Sequence, residues 1–317
     1  MPKKVTLKDI AAKAGLSSAS VSMILNRRSI DRFNAETVEQ VFAIAAELGY
    51  KSSKEKAYAL VRPSDTLIII ICPSVFNPFY TTIIQGIEIV ARKQGFVTSV
   101  RTTYWDTDTE KFIMEQARKF NVAGVIFAMI PQQPQLAYNL SKYLPVVAIG
   151  DRRSDLELAT VDMNNFTAGQ LIGKHLMDLG HKQVAYLSTT LNEQHTSRVR
   201  RYQGLDDACK AADAKLSLFT QEITSDYELS HVDVEYSTGY ELANRCLEAL
   251  PETTAIVAIN DMVAYGAYNA IIDRGLKIPE DISLCGFDNI FPSHLRGVSL
   301  TTIDNSLTEC GKSAFKL

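Results

Sequence analysis

Polar side chains follow three apolar runs of this 317-residue sequence, at positions where strands would end. They are Asp151, Asn260 and Asp288. Ligands of open parallel sheets bind beyond the carboxyl ends of the strands, so these residues are candidate ligand contacts. Their amide and carboxylate groups suit the vicinal hydroxyls of a sugar. The alternative for Asp151 is a turn residue beside Arg152.

Two aromatic residues, Phe79 and Tyr80, follow the apolar run 67–72 through a turn at Pro78. Flat apolar faces of this kind stack on sugar or base rings. The alternative is that both are core residues of the next helix. We expect Asp261 to cap a helix over 262–274 rather than to contact a ligand.

The elements that would position these residues are apolar, β-branched strands that alternate with helical patterns. The pattern predicts strands at 67–72, 95–103, 122–127, 146–149, 184–187, 255–259 and 282–285. Continuous apolar strands separated by helices are typical of parallel sheets with both faces covered. A break at 160–165 predicts two doubly wound subdomains side by side.

Three short helices are predicted before the first strand. Thr6 and Asp9 have the spacing of a capping box, and Gly15 ends the first helix. Ser17 caps the second helix, whose outward residues are Ser18, Ala19, Ser22 and Met23. The third helix runs from Asn34 to Gly49. The first two helices are too close in sequence to pack as an antiparallel hairpin and are expected to cross at an angle. This favours a helix-turn-helix DNA-binding module over a helical protein-interaction bundle.

The charge distribution agrees with a DNA-binding module. Residues 1–62 contain 11 Lys and Arg against 6 Asp and Glu, whereas the remaining residues contain 22 against 30. The N-terminal part therefore has a net charge of +5 and the body one of −8. A basic module on an acidic body favours contact with phosphate, although a solvated basic surface would give the same count.

Other function classes find little support in the sequence. It contains no GxSxG, Walker, HExxH or dinucleotide fingerprint, and prolines occupy the first strand-to-helix turn, so we expect no enzyme, cofactor or metal site. The five scattered cysteines are predicted to be buried thiols in a reducing compartment. The N-terminus lacks an apolar signal region and no run could span a bilayer, so we expect a cytoplasmic protein.

Several ordered motifs resemble those of the lac repressor family of bacterial transcription regulators. They are VTLKDIAAKAGLSSASVSMILN at 5–26, ELGY at 47–50, NPFY at 77–80, HLMDLGH at 175–181, AIND at 258–261 and ISLCGFD at 282–288. The resemblance covers essentially the whole chain. It implies an all-α helix-turn-helix head-piece joined to an α/β core of two doubly wound, periplasmic-binding-protein-like subdomains.

The resemblance also implies domain boundaries. The head-piece would be residues 1–50 and the hinge 51–62. The first subdomain would comprise 63–160 and 293–317, and the second 161–292, with the effector site between them. Residues 300–304 and the following helix resemble the crossover back to the first subdomain.

Site residues carry over from the family pattern residue by residue. Arg201 matches the arginine that clamps the effector, although the neighbouring Arg198 and Arg200 leave room for an error of register, and a surface ion pair is the alternative. The predicted effector site is Phe79, Tyr80, Asp151, Arg201, Asn260 and Asp288. The predicted DNA-binding residues are Thr6, Ser17, Ser18, Ala19, Ser22, Met23, Asn26, Arg27, Arg28, Tyr50 and Leu60.

The DNA-facing residues depart from the family pattern. Ser18, Ala19 and Met23 have no long side chain for bidentate hydrogen bonds to guanine or adenine, so we expect an A·T-rich or shape-read operator. Lys3, Lys4, Arg27 and Arg28 would contact phosphates, in support of Ser22.

The hinge and the C-terminal region also depart from the family pattern. The hinge lacks the usual proline after Tyr50 and is one residue longer before Leu60, the candidate minor-groove wedge; a plain flexible linker is the alternative. The sequence stops inside a predicted helix where relatives continue to a final strand. We expect either a shortened chain or a second subdomain that is incomplete at one edge.

Together these features predict a homodimeric transcription regulator, a repressor, that binds a pseudo-palindromic operator. A small sugar or sugar phosphate would control it by favouring one arrangement of the subdomains. The alternative function is a solute-binding receptor of a transport system, which shares the two-subdomain body.

Overall fold

A computed structural model describes residues 5–25, 33–48, 50, 66–120, 122–152, 157–192 and 194–317. The chain forms two compact units, Met1–Pro63 and Ser64–Leu317. The hinge 51–62 and Lys3, Lys4, Asn26, Arg27, Arg28, Gly49 and Leu60 lie outside the described residues. Within the described residues, no helix is long and apolar enough to cross a bilayer.

The first unit contains three helices in its described part: α1 (Leu7–Ala14), α2 (Ser18–Leu25) and α3 (Ala35–Glu47). Their apolar faces meet in a small core of Ile10, Ala11, Val21, Ile24, Val41, Ile44 and Ala45. The predicted helix starts are confirmed, because Asp9 accepts from Thr6 N at 2.7 Å and Ser17 Oγ accepts from Ser20 N at 3.0 Å. Gly15 ends α1 at φ 67°, a left-handed conformation that favours glycine.

The second unit begins with a five-stranded parallel sheet in the order β2-β1-β3-β4-β5. Its elements are β1 (Leu67–Cys72), α4 (Pro78–Lys93), β2 (Val97–Thr102), α5 (Thr107–Lys119), β3 (Gly124–Phe127), α6 (Pro134–Ser141), β4 (Val146–Gly150) and β5 (Ala159–Asp162). The central strands are buried on both faces, which explains their continuous apolar sequence.

A second five-stranded parallel sheet follows, in the order β7-β6-β8-β9-β10. Its elements are α7 (Asn165–Asp178), β6 (Gln183–Ser188), α8 (Thr196–Ala211), β7 (Lys215–Thr220), α9 (Ser225–Ser230), α10 (Val234–Ala249), β8 (Ala255–Ala258), α11 (Asp261–Asp273), β9 (Ser283–Phe287) and β10 (Thr301–Ile303), with a 3₁₀ turn at Phe291–His294. The final helix is α12 (Leu307–Lys316). The predicted class, a helix-turn-helix module plus two doubly wound sheets, is confirmed.

The subdomain boundaries differ from the predicted ones in two places. Residues 293–317 are predicted to join the first subdomain, but β10 pairs with β9 and so belongs to the second sheet. Only α12 returns, and it packs against α4, where Gly86 and Gly311 let the two backbones approach. The first sheet also continues to Asp162 rather than ending at residue 160, because β5 pairs with β4.

Two further close approaches, at Gly204 and Gly266, bring together helices that carry site residues. A Cβ on Gly204 of α8 would collide with the Phe166 carbonyl of α7, and a Cβ on Gly266 of α11 would collide with the Tyr236 carbonyl of α10. The absence of these side chains lets each helix pair pack in backbone contact. As a result the first turn of α7 lies beside α8, and that of α11 beside α10.

Candidate functional site

The carboxyl ends of the two sheets border a cleft of about 650 Å³, part of which is open to solvent. The first subdomain contributes Asn77, Phe79, Tyr80, Trp105, Ala128, Met129, Ile130, Ile149 and Met163 to its walls. The second contributes Gln194, His195, Thr196, Ser197, Arg198, Arg201, Glu235, Ile259, Asn260 and Asp288. One wall is therefore mainly apolar and aromatic, and the other mainly polar. Cofactor-sized pockets of this kind bind small molecules.

Arg201 is the centre of the polar wall and is only 6% exposed. Its Nε donates to Asn165 Oδ1 at 2.7 Å, Nη1 to the Ile259 carbonyl at 2.7 Å, and Nη2 to Asp288 Oδ1 at 2.9 Å. The guanidinium also lies 4.8 Å from the centre of the Phe287 ring. Arg201 is thus a buried, fully oriented group rather than one half of a surface ion pair. Two of its five N–H groups have no partner among the described residues.

Asp288 follows β9 and turns the chain at φ 112°, a conformation that is rare for residues other than glycine. Its Oδ1 accepts from Arg201 and also from Asn305 Nδ2 at 3.1 Å. Burial raises the pKa of Asp288 to about 7, and the Arg201 charge opposes this shift. The second carboxylate oxygen has no partner in the described part of the chain, so it is available to a ligand hydroxyl.

Asp151 does not belong to the described cleft wall. Its two carboxylate oxygens accept from Asn165 N at 2.8 Å and from Asn165 Nδ2 at 2.9 Å. Asn165 in turn holds Arg201. We therefore correct the predicted role: the carboxylate of Asp151 orients Asn165 behind the arginine instead of meeting the ligand, and it is not merely a turn residue.

Asn260, not Asp261, caps α11. Asn260 Oδ1 accepts from Val263 N at 2.9 Å, and its Nδ2 donates to Glu235 Oε1 at 2.7 Å. The expectation for Asp261 is wrong because this side chain is fully buried and accepts from Ile290 N, Ser293 Oγ and Thr302 Oγ1. It ties the first turn of α11 to the segment that follows β9 and to strand β10.

Glu235 joins the two sides of the cleft. Its Oε2 accepts from Asn77 Nδ2 at 2.7 Å, while its Oε1 accepts from Asn260. Asn77 also caps α4, since its Oδ1 accepts from Phe79 N at 2.9 Å. One carboxylate therefore connects the helix that begins after β1 with the helix that begins after β8.

Phe79 and Tyr80 lie in the first turn of α4, and their rings meet edge to face with centroids 5.0 Å apart. Both are half-buried, pack against the core of the first subdomain and line the cleft. The two alternatives weighed for them thus hold together. Each ring has one part in the core and another facing the cleft.

The candidate DNA-facing residues of the first unit surround the start of α2. Ser17 and Ala19 are exposed, whereas Ser18, Ser22 and Met23 are half-buried. The hydroxyl of Ser17 is engaged at the helix cap, 2.9 Å from Ser20 Oγ. Thr6 is exposed at the start of α1, and Tyr50 packs on the core of the three helices. DNA contact by these residues stays a prediction.

Comparison with known families gives two matches that together cover nearly all of the chain. Residues 6–53 match the model described as bacterial regulatory proteins of the lacI family. Residues 65–317 match the model for periplasmic binding proteins and the sugar-binding domain of the LacI family. The chain belongs to the LacI family. It is a DNA-binding transcriptional regulator with an effector-binding core.

Individual LacI-family relatives agree with this assignment. The transcriptional repressor PurR of Mannheimia succiniciproducens is 32% identical over 98% of this chain and 90% of its own length. A LacI-family regulator from Silicibacter pomeroyi has the same fold, with a TM-score of 0.72 and 24% identity over 98% of this chain and 90% of its own. A LacI-family regulator from Enterococcus faecium, solved with bound ribose, has a TM-score of 0.65. It is 25% identical over 79% of this chain and 88% of its own.

Four cleft residues of this LacI-family chain escaped the sequence interpretation: Trp105, His195, Arg198 and Glu235. Trp105 is the only tryptophan of the chain. It follows β2 in a left-handed turn, with φ 60°, and no sequence pattern predicts this turn. The sequence offers Arg198 only as an alternative to Arg201 in the alignment with the family pattern. His195 begins the helix that follows β6, so the rule that ligands bind at such positions could have identified it. Glu235 begins α10, which follows the short helix α9 rather than a strand, so this rule does not point to it.

Proposed function

We propose that this LacI-family regulator is a homodimeric repressor whose operator affinity is set by a sugar-like effector in the cleft. The observation that carries the proposal is the oriented Arg201 guanidinium, which shares a cleft with aromatic rings of the opposite subdomain. Arginine forks and carboxylates bind vicinal hydroxyls, and flat rings pack on the apolar faces of sugars. A relative solved with ribose supports a sugar as the effector, and the phosphate of a sugar is the other candidate that we propose.

The contacts across the cleft explain how an effector could act on distant DNA. Asn77 and Asn260 come from different subdomains and share one carboxylate, that of Glu235. A ligand between the subdomains would compete with or reinforce this bridge, and so would prefer one relative angle over another. Such a difference in affinity is what an allosteric effector needs.

The operator is expected to be pseudo-palindromic, because two copies of the chain would present two recognition helices to successive major grooves. The small side chains at Ser18, Ala19 and Met23 favour A·T pairs or a deformable sequence. Phosphate contacts would come from Lys3, Lys4, Arg27 and Arg28. As a DNA-binding regulator, the protein would act in the cytoplasm.

The alternative function, a solute-binding receptor for transport, shares the core but gives no role to the head-piece. The match of residues 6–53 to the lacI family weighs against it. So does the three-helix core with its capped α2, because a receptor for transport has no use for a DNA-binding module.

The decisive experiment is a selection of bound sequences from random DNA with the full-length protein, followed by gel shifts of the selected site and of the region upstream of its own gene. A-rich or T-rich half-sites related by a dyad are expected. No specific binding under any ligand would favour the receptor, and a half-site anchored on guanine by α2 would overturn the operator prediction.

The effector part is tested on the selected operator with a panel of sugars and their phosphates. At least one compound should change the operator affinity of the wild type, and Arg201→Ala should abolish the change while DNA binding persists. Lys210→Ala, an exposed residue of the same helix, is the matched control. An Arg201→Ala protein that still responds normally would exclude the proposed site.

A further inference from the structure

The imidazole of His195 presents an unused acceptor at the cleft. The side chain begins α8 and is 8% exposed. Nδ1 lies 2.8 Å from Asn192 Oδ1, whose identity as oxygen is fixed because it also accepts from Gln194 N at 3.1 Å. An amide oxygen only accepts, so Nδ1 carries the proton and Nε2 is the acceptor. No described residue donates to Nε2.

The ring stays neutral under physiological conditions. Burial, and then the nearby Arg198 charge, lower the pKa of His195 to about 3. One side of the imidazole is covered by Trp105 of the opposite subdomain, with ring centroids 4.6 Å apart. The position of the ring is therefore held by Asn192 and Trp105, and its free nitrogen is left for a donor in the cleft.

The charges of the cleft wall cancel when Asp288 is ionised, as it is above its pKa of about 7. Its described charged side chains are Arg198, Arg201, Glu235 and Asp288, two of each sign. Arg201 is paired with Asp288. Arg198 donates to the Thr190 carbonyl at 2.9 Å and lies over the Trp105 ring, 5.2 Å from its centre. The Asp288 carboxylate balances Arg201, and Arg198 lies close enough to Glu228 for its charge to lower the pKa of that carboxyl, so the wall offers no net positive charge to an anionic ligand.

One feature favours an anion, namely the N-terminus of α8, where Thr196 and Ser197 line the cleft. The helix dipole supplies about half a positive charge there. A phosphate monoester carries about −1.5 to −2 at neutral pH, so this end alone cannot balance it. The Thr196 and Ser197 hydroxyls bind neutral hydroxyl groups equally well.

We infer that the cleft selects an uncharged effector that donates a hydrogen bond to His195 Nε2, and that it discriminates against the phosphorylated form of the same compound. This inference rests on the proposed function, since it concerns the same cleft. It goes further because it decides between a sugar and a sugar phosphate, and because it names His195 as a residue that determines specificity.

The first test uses the fluorescence of Trp105, the only tryptophan, checked by calorimetry. The probes are matched pairs: D-ribose and its 5-phosphate, D-glucose and D-fructose with their 6-phosphates, and adenosine with adenosine 5′-monophosphate. The uncharged member of a binding pair should bind at least tenfold more tightly. Equal or tighter binding of the phosphorylated member would overturn the inference and leave the proposed sugar-like effector in place.

The remaining outcomes of this test also separate the two proposals. If only the uncharged nucleoside binds, the sugar-like effector of the proposed function is wrong, whereas the inference about charge is supported. If no member of any pair binds, the effector part of the proposed function fails and the inference fails with it.

The second test changes the acceptor. His195→Phe keeps a ring beside Trp105 but has no acceptor, and should weaken the uncharged probe at least tenfold; His195→Gln restores an acceptor and should recover part of the loss. Glu235→Gln removes a negative charge and should reduce the discrimination against phosphate several-fold. His175→Gln, on the exposed side of α7, is the control. A folded His195→Phe protein that binds within twofold of wild type would refute the role of His195.

Discussion

Arg201 Nη2 donates to Asp288 Oδ1 at 2.9 Å, and both side chains are more than nine-tenths buried. Asn305, in the segment that leads from β10 to α12, donates to the same oxygen. Asn165, which follows the segment that joins the two sheets, accepts from the same guanidinium. A ligand that touches this pair would therefore act on two of the chain segments that connect the subdomains.

The first prediction concerns pH. Burial raises the pKa of Asp288 to about 7, and burial with the Glu235 charge raises that of Glu228 to about 7 as well. Both carboxyls hold in the folded state a proton that the unfolded chain releases near pH 4. The contribution of these groups to the stability of the core should therefore be greatest below about pH 4, fall as the pH rises towards 7, and level off above about pH 7.

The measurement is a series of thermal unfolding curves between about pH 4 and pH 8, the range that spans the pKa values of these carboxyls in the unfolded and folded states. The double variant Glu228→Gln, Asp288→Asn should flatten the dependence in this window. Asp226→Asn, on the same short helix as Glu228, should leave the slope unchanged. A slope that persists in the double variant would assign it to other groups.

The second prediction concerns the close approach of α7 and α8. A methyl group at Gly204 would collide with the Phe166 carbonyl, and backbone cannot move aside as a side chain can. Gly204→Ala should therefore destabilise the core by about 1–3 kcal/mol, the usual cost of overpacking, and weaken effector binding because Arg201 moves away from Asn165. Chemical denaturation and Trp105 fluorescence measure the two effects.

The matched control for this substitution is Lys210→Ala, also on α8 but with an exposed side chain. It should change neither property by more than a few tenths of a kcal/mol. A Gly204→Ala protein with wild-type effector affinity would show that the spacing of the two helices does not position Arg201.

The sequence patterns predicted every buried central strand, but of the partly buried edge strands β2 and β7 they predicted only β2. The central strand β1 is a continuous apolar run, whereas the edge strand β7, Lys215–Thr220, is only partly buried and alternates polar with apolar residues. The short strands β5 and β10 also escaped. Edge strands need less apolar surface, so their sequences carry a weaker signal.

The site shows the same division between local and long-range information. Phe79 and Asp288 could be proposed because each follows a predicted strand, whereas Arg201, which lies in the second turn of α8, was proposed from the family resemblance. The bridge formed by Glu235 could not be predicted in this way, because Asn77 and Glu235 are 158 residues apart in the sequence. Glu235 reaches Asn260 only through the packing of α10 against α11. The supporting role of Asp151 was hidden for the same reason.

The third prediction concerns Asp261, which lies beneath the cleft without lining it. Its carboxylate accepts three hydrogen bonds from Ile290, Ser293 and Thr302. In Asp261→Asn the new amide group either faces the Ile290 N–H, which then loses its acceptor, or replaces the charged hydrogen bond to Thr302 with a neutral one, so stability should fall by about 1–3 kcal/mol. The melting temperature should fall while the effector affinity of the folded protein changes less than twofold.

Asn260→Ala provides the contrast to Asp261→Asn. It removes the true cap of α11 together with the link to Glu235, so it should affect ligand binding as well as stability. If Asp261→Asn instead lowered effector affinity as much as Asn260→Ala, the two residues would share one role.

The fourth prediction concerns Leu60, which lies outside the described residues. If the hinge resembles that of its family, Leu60 enters the minor groove, and Leu60→Ala should weaken operator binding severalfold without changing effector affinity. Leu171→Ala, an exposed leucine of α7, is the control. Gel shifts at fixed salt and calorimetry with the effector separate the two properties. Unchanged operator binding would identify residues 51–62 as a flexible linker, because a linker contributes reach but no contact.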